Sequence, residues 1–271
     1  MYRCGITGAT GIVGRSLIKN LKFKFVKYKG RIQNKNELEN WLKKNNFDLI
    51  FHLAAIVPTN KVKKNYKKAL EVNYFGTKNL VDIINKIEKK PSWFFFSSTS
   101  HVYNPINKKS LSEKLTLKPY SKYGYTKLLA EKYIRKKLRI NNAIGRIFSF
   151  TDKQQSNDYL IPSLANNIKK KKIELKNLNH YRDFIHIKDI CAAIKILWEK
   201  KANGIFNIGS GKMVHLKNLI LLINKNIGKK KTLIFFDNQN VTFLISNINK
   251  IKKLGWKPKR NLNKIIRDYL N

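Results

Sequence analysis

Apolar and polar positions alternate along this chain in short blocks, and the period of the blocks changes. Tight apolar runs, which suit buried strands, are separated by longer stretches with apolar residues every three or four positions, which suit amphipathic helices. Strands are expected over Tyr2–Thr7, Phe23–Tyr28, Leu49–Ala55, Trp93–Ser97 and Ala143–Phe148. Helices are expected over Ile12–Leu21, Glu37–Asn45, Ala69–Lys89 and Tyr123–Lys137. Strands alternating with helices predict an α/β fold with a doubly wound parallel sheet. The rhythm changes after Phe148. A polar loop over Asp152–Asn157 leads to a helix over Leu160–Lys170 and a turn and short strand over His180–Ile187. A helix over Asp189–Lys200, a strand over Gly204–Ile208, a helix over Leu216–Ile227, a strand over Thr232–Phe236 and a helical end complete the chain. No repeat or Pro-rich linker divides it. Residues 1–150 are expected to form the first domain, with 183–208 returning to it, and 151–271 mainly a smaller, interwoven lobe.

Three short segments carry chemistry. Thr7-Gly8-Ala9-Thr10-Gly11-Ile12-Val13-Gly14 sits between an expected strand and an expected helix. Glycines there tighten the turn and let the backbone approach a pyrophosphate, while the helix points free N–H groups at the phosphates. Ser97-Ser98-Thr99 ends an apolar strand in hydroxyls, at the sheet end where α/β proteins bind ligands. Tyr123 and Lys127 stand four apart on one helix face. A free phenol titrates near pH 10, and a neighbouring ammonium favours its phenolate. Together these segments read as a dinucleotide-dependent redox enzyme. The expected second strand ends in Val26-Lys27-Tyr28-Lys29-Gly30-Arg31, without the acidic residue that normally holds the adenosine ribose hydroxyls. Lys27, Lys29 or Arg15 suits a 2'-phosphate instead, which argues for NADP with NAD as the alternative.

Composition changes this picture only at one point. The 57 Lys and Arg against 16 Asp and Glu give the 271 residues a net charge of +41. Such a field attracts polyanions. The lysines are spread over every expected helix, beside abundant Asn and Ile, which suits A+T-rich coding better than a clustered footprint. No specific nucleic-acid partner is expected. Cys4 and Cys191 form no CxxC and suit a reducing cytoplasm, and no metal site is expected. The longest apolar stretch, Leu49–Pro58, contains His52 and is too short to span a membrane, and no leader is expected ahead of the glycine turn.

In order along the chain, further segments resemble a known family. Thr7–Gly14 is similar to its TGxxGxxG turn, His52-Leu53-Ala54-Ala55 to its HxAA strand end, and Asn73–Thr77 to its NxxGT helix. Ser97–Tyr103 resembles SS(S/T)xxVY, Tyr123–Lys127 YxxxK, Gly145–Ser149 the strand near the nicotinamide, and Arg182–His186 RDFIH. Phe206–Gly211 and Leu254–Pro258 resemble FNIGSG and LGWxP. The chain thus resembles the extended short-chain dehydrogenase/reductases, in their branch of NAD(P)-dependent nucleotide-sugar epimerases, dehydratases and reductases. The resemblance implies a Rossmann-type sheet with a smaller substrate lobe. It implies Thr99, Tyr123 and Lys127 as the catalytic set. Gly8, Thr10, Gly11, Ile12, Val13, Leu53, Ala54, Ala55 and Phe148, with Tyr123 and Lys127, would hold the cofactor. Thr99, Ser149 and Arg182 would meet the substrate, with Arg182 at its diphosphate, and a homodimer is expected.

Departures narrow the reaction. Dehydratases of the family place Asp-Glu after the catalytic threonine, where this chain has Ser100-His101, so elimination is not expected. Ser149 stands where members carry Asn, and the Arg and acidic residue usual in the region of Asn238–Asn247 are missing. The short span between Gly14 and His52 resembles that of reductases using NADPH on a 4-keto sugar nucleotide. That reduction, of a 4-keto(-6-deoxy) sugar with tyrosine as proton donor, is the first expectation. A nucleotide-sugar 4-epimerase retaining NAD is the alternative, and a non-enzymatic polyanion- or RNA-binding member is the third.

Overall fold

The computed structural model describes residues 1–57, 59–106, 110–168, 173–176, 178–227, 233–236 and 241–270. Its first half runs β1 (Arg3–Thr7), α1 (Ile12–Asn20), β2 (Lys24–Lys27), α2 (Lys35–Asn45), β3 (Leu49–His52), α3 (Thr59–Lys64) and α4 (Tyr66–Leu70). A single π-helical turn, Glu71–Phe75, leads into α5 (Gly76–Lys86), β4 (Trp93–Thr99), a 3-10 turn (Ser100–Val102), α6 (Lys122–Lys137) and β5 (Asn141–Ile147). The second half runs β6 (Ser149–Thr151), α7 (Leu160–Ile168), β7 (Ile173–Lys176), β8 (His180–Arg182), β9 (Phe184–His186), α8 (Ile187–Glu199) and β10 (Gly204–Ile208). It closes with β11 (Val214–His215), α9 (Leu216–Ile227), β12 (Leu233–Phe236), β13 (Thr242–Leu244), α10 (Asn249–Lys252) and α11 (Leu262–Leu270).

Six strands form one parallel sheet in the order β2-β1-β3-β4-β5-β10. The chain therefore winds outward from β1 in both directions, the doubly wound Rossmann-type arrangement the sequence pattern predicts. The order reverses between β1 and β3, so a crevice opens at their carboxyl ends. Both faces are covered, which explains why the strands read as continuous apolar runs. Along β4, Trp93 and Phe95 enter the core under α1 and α8, while Phe94 and Phe96 enter the core under α2, α5 and α6. A separate apolar cluster joins Ile161 and Leu164 of α7, Leu219 and Ile223 of α9, and Ile265 and Ile266 of α11. The smaller sheets β11-β8-β13, β12-β7 and β6-β9 belong to the second half.

Several expected boundaries move. The strand expected over Leu49–Ala55 stops at His52, because the next residues leave the sheet to meet the glycine turn. The helix expected over Ala69–Lys89 is α4, the π turn and α5 in succession, ending at Lys86. Helix α3 was not foreseen, since only Val62 within it is buried and its lysines mask the period. Strand β4 extends through Thr99, so this residue closes the strand instead of following it. The expected strand over His180–Ile187 is split into β8 and β9 at Asp183. Pro58, Lys170, Thr232 and Asn238, which bound expected segments, lie outside the described residues.

Candidate active site

The glycine turn fits a dinucleotide. Gly8 has φ +72°, which favours glycine, and a Cβ there would lie 2.6 Å from the Leu53 carbonyl carbon and Ala54 nitrogen. The turn thus packs directly on Leu53-Ala54 at the switch point. A Cβ on Gly14 would overlap the Gly8 carbonyl, so α1 can approach only as it does. Gly11 caps α1 without a side-chain hydrogen bond, and its N–H bonds the Gly8 carbonyl at 3.1 Å. The first turn of α1, with Ile12 and Val13 half-buried, therefore presents its N–H groups to the crevice, as a pyrophosphate requires. Thr10 is exposed, and its carbonyl takes a hydrogen bond from the Arg15 guanidinium at 2.6 Å. Lys27 ends β2 beside Ile6, followed by exposed Lys29 and Arg31.

A buried chain of hydrogen bonds joins this turn to helix α6. Thr7 and His52 meet at 2.7 Å through Nδ1, and His52 Nε2 meets Thr77 at 2.8 Å. Thr77 donates to the Asn73 carbonyl, so its oxygen accepts from His52, which fixes a neutral imidazole protonated on Nε2. Burial pushes the His52 pKa down to about 3. Asn73, inside the π turn, accepts from the Ile56 N–H at 2.7 Å and donates to Thr126 of α6 at 3.0 Å. The π turn is what aims Asn73 at both.

Helix α6 carries Tyr123 and Lys127. Ser121 caps it, accepting from the Gly124 N–H at 3.0 Å. The same hydroxyl reaches His101 Nδ1 at 3.3 Å. A Cβ on Gly124 would overlap the His101 carbonyl, so glycine lets the helix press on the turn after β4. That contact brings the Tyr123 phenol close enough to Thr99 for its hydroxyl to act on the phenol's pKa. The enclosing protein raises the Tyr123 pKa, against the lowering effect of Thr99. Lys127 is fully buried, its Nζ 4.0 Å from the Phe96 ring centre. Burial pushes its pKa down to about 7, against the opposing pull of Glu131.

The second half supplies the opposite wall. Arg182, at the end of β8, bonds the Tyr181 and Thr242 carbonyls through Nη1 at 2.8 and 3.2 Å. Among the described residues no carboxylate pairs with it, and burial lowers its pKa. Its charge acts on His101, whose pKa falls to about 4 mainly through burial. His101 stacks on Tyr120 and lies edge-on to Tyr123 at 5.8 Å. Ser149 opens β6 opposite Phe184. Phe148 turns its ring into a small core with Tyr103 and Leu128 and donates its N–H to the Ile208 carbonyl at 2.9 Å. Tyr159 follows the polar stretch Asp152–Asn157 and acts electrostatically on Tyr123, and Asp158 beside it takes a hydrogen bond from Asn60 at 2.8 Å. The structure thus gathers Thr99, Tyr123 and Lys127 at one strand end, with the glycine turn and Leu53–Ala55 on one side and Arg182 beyond His101. Asn73, His101 and Tyr159 were not among the site residues expected. Only the NxxGT spacing pointed to Asn73, and nothing local pointed to Tyr159.

Comparison with known proteins shows the family and the fold. The family model described as GDP-mannose 4,6 dehydratase matches residues 15–269. The chain is 32% identical over 220 residues to GDP-6-deoxy-D-talose 4-dehydrogenase of Aggregatibacter actinomycetemcomitans, covering 76% of this chain and 74% of that protein. It is 27% identical to the bifunctional UDP-glucose 4-epimerase and UDP-xylose 4-epimerase 1 of Pisum sativum, covering 96% of this chain and 82% of that one. RMD from Pseudomonas aeruginosa, solved with NADPH, shares the fold at a TM-score of 0.88 and 20% identity, over 100% of this chain and 98% of that one. The chain belongs to the extended short-chain dehydrogenase/reductase family of nucleotide-sugar epimerases, dehydratases and reductases, and it is an enzyme.

Proposed function

We propose that the enzyme reduces the 4-keto group of a nucleotide-activated 6-deoxy sugar, with NADPH as the preferred cofactor. The observation that carries this reading is the Thr99–Tyr123–Lys127 group at the end of β4, followed by Ser100-His101 with no carboxylate in that turn. A bound nicotinamide supplies the hydride. Tyr123 donates its phenolic proton to the carbonyl oxygen as the C4 carbon is reduced, and Thr99 holds that oxygen by a hydrogen bond. The Lys127 ammonium stabilises the resulting phenolate, which then regains a proton from solvent. Arg182, whose guanidinium pairs with no carboxylate among the described residues, takes the diphosphate. Elimination lacks the acid and base it needs beside Thr99. Lys27, Lys29, Arg31 and Arg15, with no acidic residue at the end of β2, support NADPH over NADH. A homodimer through α6, in the cytoplasm, completes the proposal; exposed Tyr125 on α6 and Phe75 beside it support the interface. Among the described residues no helix is long and apolar enough to cross a membrane.

The test is a fluorescence titration with NADPH and NADH, followed by turnover on UDP-, GDP- and dTDP-linked 4-keto sugars. Tighter NADPH binding with stoichiometric NADPH consumption is the expected result. Interconversion of UDP-glucose and UDP-galactose without net consumption, as the likeness to the pea enzyme permits, overturns the reductase in favour of the epimerase. Tyr123→Phe should lower turnover about 100- to 10,000-fold, the worth of a positioned general acid, and leave NADPH affinity nearly unchanged.

A further inference from the structure

Beneath Lys127 lies a second charge cluster that the proposed reaction does not itself use. Glu131 is one turn further along α6 and is 1% exposed. Arg146 of β5, also 1% exposed, grips it with Nη2 to Oε2 at 2.7 Å and Nε to Oε1 and Oε2 at 3.1 and 3.2 Å. Ser98, next to Thr99, donates to Oε1. Behind the guanidinium, Arg146 Nη1 donates to the Tyr103 hydroxyl at 2.9 Å, and that hydroxyl donates to Asn207 of β10 at 2.8 Å. Asn207 is held in turn by the Leu111 and Asn247 carbonyls and by Glu113. The carboxylate therefore cannot rotate away from the lysine above it.

Burying a charge pair costs desolvation that its mutual attraction alone repays poorly. As packing, an apolar pair would serve α6 and β5 as well. The location supplies the reason. The titratable groups around Lys127 are Tyr123 and Glu131 on α6, His52 on β3 and, behind Glu131, Arg146 on β5 with Tyr103. His52 is neutral, so among the described residues the negative charge acting on the ammonium is Glu131. We propose that Glu131 and Arg146 are positioning residues: the carboxylate, one turn along α6 and held by Arg146 and Ser98, keeps Lys127 charged beside Tyr123, and the guanidinium limits how strongly it does so. Resting on the proposed role of Lys127, this role sets the pH range in which the catalytic group works. With Lys127 titrating at about 7, small changes in its surroundings switch the charge on or off near neutrality.

The experiment labels lysines with 13C at Cε and follows the shift with pH in the ligand-free protein. One signal should titrate far below the rest, and K127M, by losing it, identifies it. In E131Q the midpoint should fall by about one pH unit or more, the usual size of losing a close opposite charge. In R146Q, where Glu131 is unopposed, it should rise. The E131Q/R146Q pair retains a hydrogen-bonded amide pair if either single change prevents folding; its midpoint should still fall, by less than in E131Q, because Glu131 is nearer Lys127 than Arg146 is. The alkaline limb of turnover should move with the midpoint in each variant. A midpoint unmoved in these variants overturns the proposal and leaves the pair as a cross-link alone. Turnover of K127M separates the two readings. Lost turnover with unmoved midpoints sinks only the positioning role, whereas retained turnover removes the function assigned to Lys127 and with it anything to position.

Discussion

His52 shows how far a single residue can be read from sequence and where that reading ends. Its place before Leu53-Ala54-Ala55 marked the end of a strand, and β3 ends at His52. Its actual work, joining Thr7 to Thr77 as a neutral ring, depends on a residue 25 positions away and left no local signal. The neutral state has a measurable consequence. The unfolded chain protonates histidine near about 6.5, whereas folded His52 resists protonation down to about 3 and His101 to about 4. Between those values the unfolded state binds more protons, so stability present above about 6.5 is lost as pH falls. His52 alone should contribute a slope of about 1.4 kcal/mol per pH unit in that window. Urea unfolding at a series of pH values from neutral to mildly acidic should show this decline. His52→Gln should be less stable at neutral pH and should flatten the decline; an equal slope in both proteins would assign the acid sensitivity elsewhere.

At the scale of elements, β1, β3, β4 and β5 were legible because each buries an apolar run, and α8 because it buries a clear stripe. The π turn was not. Its residues continue the helical period of α4 into α5, and only the need for Asn73 to reach Ile56 and Thr126 together widens the turn. The split between β8 and β9 was equally hidden, since Asp183 earns its place by collecting Ser210, Gly211 and Ser246 from distant loops. The contact between α6 and the turn after β4 is the element-scale feature on which the site depends most. Gly124 has room for no side chain because the His101 backbone lies against it, and a backbone neighbour cannot swing aside. Gly124→Ala should therefore push the first turn of α6 off the end of β4 and lengthen the approach of Tyr123 to Thr99. Misplacement of that order typically costs about 100-fold in rate. Measured kcat should fall while NADPH affinity, set at β1 and α1, stays within a few-fold. A loss of both together would mean that the helix holds the cofactor turn as well as the phenol.

For the whole molecule, the sheet order and the pairing across it place the chemistry, and the charge sets how ligands arrive. Several of the 16 acidic residues are spent inside the fold: Glu131 on Arg146, Asp189 on Arg260, and Asp183 on backbone and hydroxyl donors. Others sit in surface pairs along single helices, as Glu39 with Lys43 and Asp82 with Lys78. Each such pair neutralises one cation with each anion, so the field outside the protein remains that of the +41 net charge. A spread field of this kind steers anions without selecting among them, and salt shortens its reach to about 8 Å at physiological ionic strength. Both NADPH and a nucleotide sugar carry phosphates, so association should slow and KM should rise several-fold between low and moderately high salt. The chemical step takes place among buried groups that salt does not reach, so kcat should hold steady. Stopped-flow binding of NADPH against ionic strength separates this from a dedicated polyanion site. A field made of many scattered lysines releases single-stranded nucleic acid over the same salt range that slows NADPH. A built nucleic-acid site would keep its ligand after the NADPH on-rate has levelled off, and that outcome would reopen the binding function that the even spread of charge argues against.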